Sequence, residues 1–147
     1  MHIGCYMAIT YKKNLKEINW EDLLSLFQAA PLGNKTIEGI KVTFTNSLFN
    51  CFAFDGKKLV GVGRALADGR DCSYICDVAV LPEYQGRGIG KCIVQTLIAS
   101  SCGHKKIILY SNPGVEGFYH TLGFRRMNTA MAIFENEQDE LARGVIS

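Results

Sequence analysis

Residues 77–90 read Asp77-Val-Ala-Val-Leu-Pro-Glu-Tyr-Gln-Gly-Arg-Gly-Ile-Gly90, an apolar strand that leads through a glycine-rich turn into an amphipathic helix. Glycines let the backbone approach a ligand closely, and the first N–H groups of a helix have no partner within it. These N–H groups and the helix dipole favour a bound anion. The stretch therefore predicts a site for a pyrophosphate group.

Spacing excludes two common nucleotide-binding loops. A Walker A loop would need a glycine at Gln85 and a hydroxyl side chain at Cys92. The dinucleotide-binding fingerprint G-x-G-x-x-G would need its third glycine at Lys91 or Ile93, depending on where it starts. The pattern that remains is Q-x-x-G-x-G after a strand.

This pattern resembles the acetyl-CoA-binding motif of the GCN5-related N-acetyltransferase (GNAT) family, whose Q/R-x-x-G-x-G/A core is matched at every position of residues 85–90. A second block, Asn112-Pro-Gly-Val-Glu-Gly-Phe-Tyr-His-Thr-Leu-Gly-Phe124, resembles the family's N-x-x-A-x-x-F-Y-x-x-x-G-F. Val115 departs from it, since the family usually has alanine there. Two blocks in the right order are a stronger signal than one glycine loop.

The resemblance implies that acetyl-CoA is the cosubstrate and that one set of residues holds its pyrophosphate and pantetheine arm. In this sequence the set is Val78, Ala79, Val80, Gln85, Gly86, Arg87, Gly88, Ile89, Gly90, Lys91, Asn112 and Phe118. Asn112 has a second reading of equal weight, because asparagine is also a common turn former. No metal is implied.

Two residues are candidates for catalysis. The resemblance implies that Tyr119 is the acid that protonates the departing CoA thiolate. Asp77 lies within the apolar strand 74–80, where a carboxylate is costly unless it is paired or functional. Asp77 is therefore predicted to be either the general base for the amine or an anchor for the substrate ammonium group.

Hydrophobic periodicity and turn residues predict a single α/β domain over residues 1–147, with a mixed sheet whose antiparallel strands lead into a strand–helix–strand unit. This order of elements resembles the GNAT fold. Helices are predicted after Asn19, over Thr36–Ser47, after residues 85–90 and over Val115–Leu122. Strands are predicted over Met7–Tyr11, Leu48–Phe54, Lys58–Ala67, Ser73–Leu81, Lys106–Tyr110 and Ala130–Phe134.

Composition excludes several classes of partner. The net charge of +2 is too small to favour nucleic acid or a membrane surface, and no apolar run approaches the roughly 20 residues of a membrane span. The six cysteines form no C-x-x-C pair, which argues against a zinc site. Because no secretion signal is recognised, the cysteines are expected to be reduced thiols in a cytoplasmic protein.

The sequence thus predicts an acetyl-CoA-dependent N-acetyltransferase that acts by direct transfer, with a small-molecule primary amine as acceptor. The two blocks most resemble small bacterial and plastid amine acetyltransferases, including arylalkylamine enzymes. A protein lysine or N-terminal acetyltransferase is the first alternative, and a non-catalytic acyl-CoA-binding regulatory domain is another. The resemblance also makes a homodimer an expectation.

Overall fold

The computed structural model describes residues 8–147, which fall into two compact units, one up to Leu109 and one from Tyr110 to Ser147. The strands are β1 (Ile9–Lys12), β2 (Phe49–Asp55), β3 (Lys58–Ala67), β4 (Cys72–Val80) and β5 (Lys106–Ile108). The helices are α1 (Trp20–Ala29), α2 (Ile37–Thr45), α3 (Ile89–Ser100), α4 (Glu116–Thr121) and α5 (Glu137–Ala142). That residues 1–147 form one domain stays a prediction.

The first unit contains a five-stranded sheet in the order β1-β2-β3-β4-β5. Its first three pairings are antiparallel, whereas β4 and β5 run parallel and are connected through α3. This topology confirms the predicted mixed α/β sheet, in which an antiparallel meander leads into a strand–helix–strand unit.

Side-chain caps start the first two helices. Asn19 Oδ1 accepts hydrogen bonds from the N–H groups of Glu21 and Asp22, at 2.9 and 3.1 Å. Helix α1 begins directly after Asn19, as predicted. Thr36 Oγ1 accepts from the Gly39 N–H at 3.1 Å. Helix α2 is therefore confirmed, although it ends at Thr45, before the predicted boundary.

Helices cover both faces of the sheet, as the alternation of side chains along β3 shows. A Cβ atom added to Gly63 would lie 2.7 Å from Ile93 of α3, whereas the guanidinium of the next residue, Arg64, lies over the ring of Phe44 in α2. The largest fully buried side chains come from the strands and from helices α1, α2 and α3: Phe27, Phe44, Phe52, Leu23, Leu26, Ile40, Ile75, Ile93, Leu97, Val60, Val62 and Val94.

The predicted strand Ala130–Phe134 is wrong, because residues 130–134 adopt no regular secondary structure. Met131 and Ile133, two apolar residues of this segment, are fully exposed. A strand requires a neighbour that satisfies its N–H and C=O groups, and periodicity does not provide that neighbour. Met7, the first residue of the predicted first strand, lies outside the described residues.

Within residues 8–147, no helix is both long and apolar enough to cross a membrane.

Candidate active site

The glycine turn before α3 has the geometry of an anion-binding loop. Gly86 and Gly88 have φ angles of 76° and 81°, and the space where a side chain would lie is open at both. The first hydrogen bond of α3 runs from the Cys92 N–H to the Gly88 carbonyl at 3.0 Å. The N–H groups of residues 89–91 precede this bond, so they have no carbonyl partner within the helix.

Side-chain contacts fix this turn to the sheet. The Tyr84 hydroxyl donates to Asp55 Oδ2 at 2.7 Å, and this bond is the main cause of the raised pKa of Tyr84. The Gln85 amide donates to the Val80 carbonyl at 3.1 Å, and the Arg87 guanidinium lies 5.2 Å from the centre of the Tyr84 ring. The loop is thus held in place without a ligand, as a binding site that forms in advance requires.

Strand β4 extends well past its pairing with β5. The parallel ladder joins only Cys72, Ser73 and Tyr74 to β5, while β4 continues to Val80 and pairs with β3 on its other side. The opposite edge of residues 78–80 is therefore not covered by β5, and it lies directly before the glycine turn. An extended ligand can pair with such an edge as an added strand. The carbonyl of Val80 already accepts the bond from Gln85.

A bulge in β4 sets the position of Asp77. The pairing of β3 with β4 shifts register between Val62 and Arg64, so that two residues of β4 lie opposite Gly63. Asp77 has φ 54°, and it is the one residue other than glycine with a positive φ among residues 8–147. Aspartate tolerates this region better than most residues, and such outliers cluster at functional sites.

Both carboxylate oxygens of Asp77 bind cations. Lys35 Nζ lies 3.1 Å from Oδ1, and Arg64 Nε lies 2.8 Å from Oδ2. The exposed fraction of the side chain is 22% for Lys35, 12% for Arg64 and 16% for Asp77. We call these three residues the charged cluster. Whether Asp77 acts as base or as substrate anchor stays a prediction.

No local pattern in the sequence identifies the two cations of this cluster. A carboxylate in an apolar strand requires a partner, but the rule does not identify the partner. Lys35 lies in the loop between α1 and α2, and Arg64 lies on the neighbouring strand, 42 and 13 residues from Asp77. Only the tertiary fold brings them together.

Tyr119 lies on α4 in the second unit. Its ring makes edge contacts with Phe118 and Phe124, with centroids 5.0 and 6.0 Å apart, and burial raises the pKa of Tyr119. A phenol with a raised pKa stays protonated at neutral pH, as a proton donor must. In the same unit, Asn112 Oδ1 accepts a hydrogen bond from Arg143 at 2.7 Å.

Two of the cysteines are buried enough to be unreactive. Burial raises the pKa values of Cys51 and Cys76 to about 11, which keeps both as unreactive thiols at neutral pH. In the part of the chain that the structure describes, no group of three or more His, Cys, Asp or Glu side chains is placed to hold a metal ion. Cys5 lies outside that part.

Comparison with known proteins yields one family. A sequence model described as "Acetyltransferase (GNAT) family" matches residues 13–124. The uncharacterized N-acetyltransferase ycf52 of Pyropia yezoensis is 31% identical over 78% of this chain, which spans 69% of the relative's length. Serotonin N-acetyltransferase 2 of Oryza sativa subsp. japonica, a chloroplastic protein, is 40% identical over 44% of this chain and 34% of its own length.

A solved structure supports the same relationship. The GNAT-family acetyltransferase SP0256 of Streptococcus pneumoniae is 30% identical, superposes with a TM-score of 0.75, and is matched over 88% of this chain and 98% of its own.

Proposed function

Because the chain belongs to the GNAT family of acetyltransferases, we propose that it moves the acetyl group of acetyl-CoA directly to the primary amine of a small molecule. The enzyme binds both substrates at once, and no covalent enzyme intermediate forms. The observation that carries the proposal is the glycine turn at the start of α3, directly after a strand edge that β5 does not cover. The glycine turn suits a pyrophosphate, and the strand edge suits an extended arm that contains amide groups.

The donor is held mainly by backbone groups in this proposal. The N–H groups of residues 85–91 bind the pyrophosphate, and Arg87 adds a charged donor. The edge of residues 78–80 pairs with the pantetheine arm. Asn112 and Phe118, which belong to the block of residues 112–124, contact the same arm. The amide nitrogen of Asn112 is the donor, since its oxygen accepts a hydrogen bond from Arg143.

The proposed chemical step transfers the acetyl group from the sulfur of CoA to the nitrogen of the amine. The lone pair of the neutral amine attacks the thioester carbonyl, the C–N bond forms, and the C–S bond breaks with its electron pair on sulfur. Tyr119 donates a proton to the thiolate, and the amine loses one proton to Asp77 or to water. An alkylammonium at pH 7 must first give up a proton at a cost of about 4.6 kcal/mol, so the site must favour the neutral amine.

A specific relative supports the small-molecule acceptor, because the rice protein is named for serotonin, an arylalkylamine. Another relative supports the alternative of a protein acceptor. Histone acetyltransferase TAP1 of Glycine max is 39% identical over 46% of this chain, which spans 30% of that protein. Both matches cover less than half of this chain.

Release of CoA thiol from acetyl-CoA should be measured with arylalkylamines, polyamines, amino sugars and lysine-containing peptides. We expect turnover with at least one class of small amine and little with the peptides. Turnover with peptides alone would replace the small-molecule proposal by the protein acceptor. Binding of CoA without turnover of any amine would contradict the proposed reaction.

The cytoplasmic location and the homodimer stay predictions. Sedimentation of the purified chain, with and without CoA, measures the oligomeric state. A monomer at all concentrations would contradict the homodimer.

A further inference from the structure

The charged cluster at the bulge of β4 carries one more positive charge than negative charge. It joins the Lys35 ammonium and the Arg64 guanidinium to the single carboxylate of Asp77. All three side chains are less than a quarter exposed, so solvent screens them poorly. A partly desolvated excess charge is costly unless a counter-ion binds to it.

The two cations also have hydrogen-bond donors to spare. An arginine has five N–H donors and a lysine has three. Among the described residues, these donors make three hydrogen bonds: Lys35 Nζ and Arg64 Nε to Asp77, and Arg64 Nη1 to Ser47 Oγ at 3.2 Å. The remaining donors match a carboxylate or a phosphate, which accepts several N–H groups at once.

The cations are held in position before any ligand binds. Lys35 Nζ lies 4.9 Å from the centre of the Phe27 ring, and Arg64 lies 5.7 Å from that of Phe44. The Ser47 hydroxyl that accepts from Arg64 donates in turn to the Thr43 carbonyl at 2.7 Å. Such fixed donors bind an anion without first losing side-chain freedom.

The cluster lies beside the expected path of the donor. Asp77 immediately precedes residues 78–80, whose edge is not covered by β5 and which lead to the glycine turn. A pantetheine arm that pairs with this edge and extends away from the turn ends near the bulge. The acceptor must then meet the thioester near this bulge.

We propose that the acceptor carries a carboxylate or a phosphate in addition to its amine, and that Lys35 and Arg64 bind this anionic group. The inference rests on the proposed function, since it names the substrate class of the same site. Asp77 then orients the two cations. An ammonium group that approached Asp77 would also meet the two cations, so a simple amine has no net complementary charge at this cluster.

The test compares amines that differ only in the anionic group. One pair is phenylalanine and phenethylamine, and a second is O-phosphoethanolamine and ethanolamine; the two pairs distinguish a carboxylate from a phosphate. We expect kcat/KM to be higher for the anionic member of at least one pair by about ten-fold or more, the usual value of one hydrogen bond to a charged group.

Two matched lysine variants assign the effect to the cluster. Lys35→Met removes the charge but retains an apolar side chain against Phe27, and it leaves the Arg64–Asp77 pair intact. We expect it to abolish most of the preference for the anionic amine. Lys12→Met is the control, because Lys12 has the same two kinds of contact. It forms an ion pair with Glu17 at 3.8 Å, and its ammonium group lies 5.3 Å from the centre of the Phe54 ring. It should leave the preference unchanged.

A binding measurement separates failure of this inference from failure of the proposed reaction. The melting temperature is recorded with 3-phenyllactate, which has the carboxylate but no amine, and with 2-phenylethanol, which has neither. Ethyl phosphate and ethanol are the corresponding pair for a phosphate. We expect stabilisation by an anionic ligand only, and its loss in Lys35→Met.

Equal or better turnover of the uncharged amines would overturn the inference and leave the acetyltransferase proposal intact. A preference for anionic amines that survives in Lys35→Met would also overturn it, because the anion would then bind elsewhere. Absence of turnover with every amine, together with Lys35-dependent binding of an anionic ligand, would overturn the proposed reaction and retain the anion site.

Discussion

Tyr119 is the residue on which the proposed proton transfer depends. Tyr119→Phe removes the hydroxyl and keeps the ring that contacts Phe118 and Phe124. We expect kcat to fall by about a hundred-fold or more, the usual contribution of a general acid, with little change in the Kd for CoA. Stopped-flow acetyl transfer and isothermal titration with CoA measure the two quantities.

The pH dependence of the same step has a defined sign. A general acid works while it is protonated, and burial raises the pKa of Tyr119 above its ordinary value near ~10. The fall in kcat on the alkaline side of the pH profile should therefore begin above pH 10, and it should be absent in Tyr119→Phe. An unchanged kcat in the variant would remove Tyr119 from the mechanism.

The cysteines should divide by burial in their reactivity. Burial raises the pKa values of Cys51 and Cys76 to about 11, whereas Cys92 and Cys102 are exposed. Since the thiolate is the reactive form, we expect iodoacetamide at pH 8 to modify the exposed pair first. Site-resolved mass spectrometry of the native protein measures the order. Equal rates at all four sites would contradict the described burial, and equal rates after unfolding are the control.

At the scale of elements, the start of α3 depends on a glycine in the left-handed region. Gly88 has φ 81°, where alanine costs roughly 1–2 kcal/mol. The strain in Gly88→Ala should displace the N–H groups of the first turn, and we expect the Kd for CoA to rise by about ten-fold or more. Titration calorimetry measures the change.

Gly103→Ala is the matched control for this substitution. Gly103 follows the other end of the same helix, has φ 92°, and has open space around its missing side chain. It should share the loss of stability without the loss of CoA affinity. Equal loss of affinity in both variants would show that the effect is one of stability alone.

The turn between β3 and β4 is organised by a single carboxylate. Asp68 Oδ1 accepts hydrogen bonds from the N–H groups of Arg70, Asp71 and Cys72 at 2.8, 2.7 and 3.1 Å. These bonds lower the pKa of Asp68 to about 2. A depressed pKa contributes stability above the unfolded value of about 3.9, and this contribution is lost as the pH falls toward 2.

Asp68→Ala should therefore lower the melting temperature between pH 5 and 7, and the difference should shrink below pH 4. Asp71→Ala is the control, because Asp71 forms an exposed ion pair with Lys105 at 3.2 Å, a kind of contact that contributes little. A difference for Asp68→Ala that does not depend on pH would contradict the described turn.

At the scale of the whole molecule, the contact between α3 and the sheet requires glycine on β3. A Cβ atom at Gly63 would lie 2.7 Å from Ile93 and 2.9 Å from Leu97, both fully buried. We expect Gly63→Ala to lower the free energy of unfolding by about 1–3 kcal/mol, the usual cost of overfilling a packed core. Urea denaturation measures it.

Gly117→Ala is the control for this overpacking. Gly117 lies in α4 and has no atom within 4 Å of its missing side chain. Alanine is the better helix former by up to about 1 kcal/mol, so this variant should be neutral or more stable. A neutral Gly63→Ala would mean that α3 packs less closely on β3 than described.

Local patterns predicted the elements whose determinants lie close together in the chain. Asn19 and the acids after it set the start of α1, and residues 85–90 set the start of α3, because a cap or a glycine turn acts over a few residues. The strand predicted at Ala130–Phe134 failed, because its existence depends on a partner strand that the local sequence does not specify.

The sequence by itself determined the mixed α/β fold, the glycine turn before α3 and the family, since each is encoded in short, contiguous patterns. Only the tertiary structure decided the surroundings of Asp77: the bulge that gives it a positive φ, and the binding of both its oxygens by Lys35 and Arg64. These contacts join a loop and two strands across 42 and 13 residues. Charge pairing of this kind depends on distance in space and leaves no periodic signal along the chain.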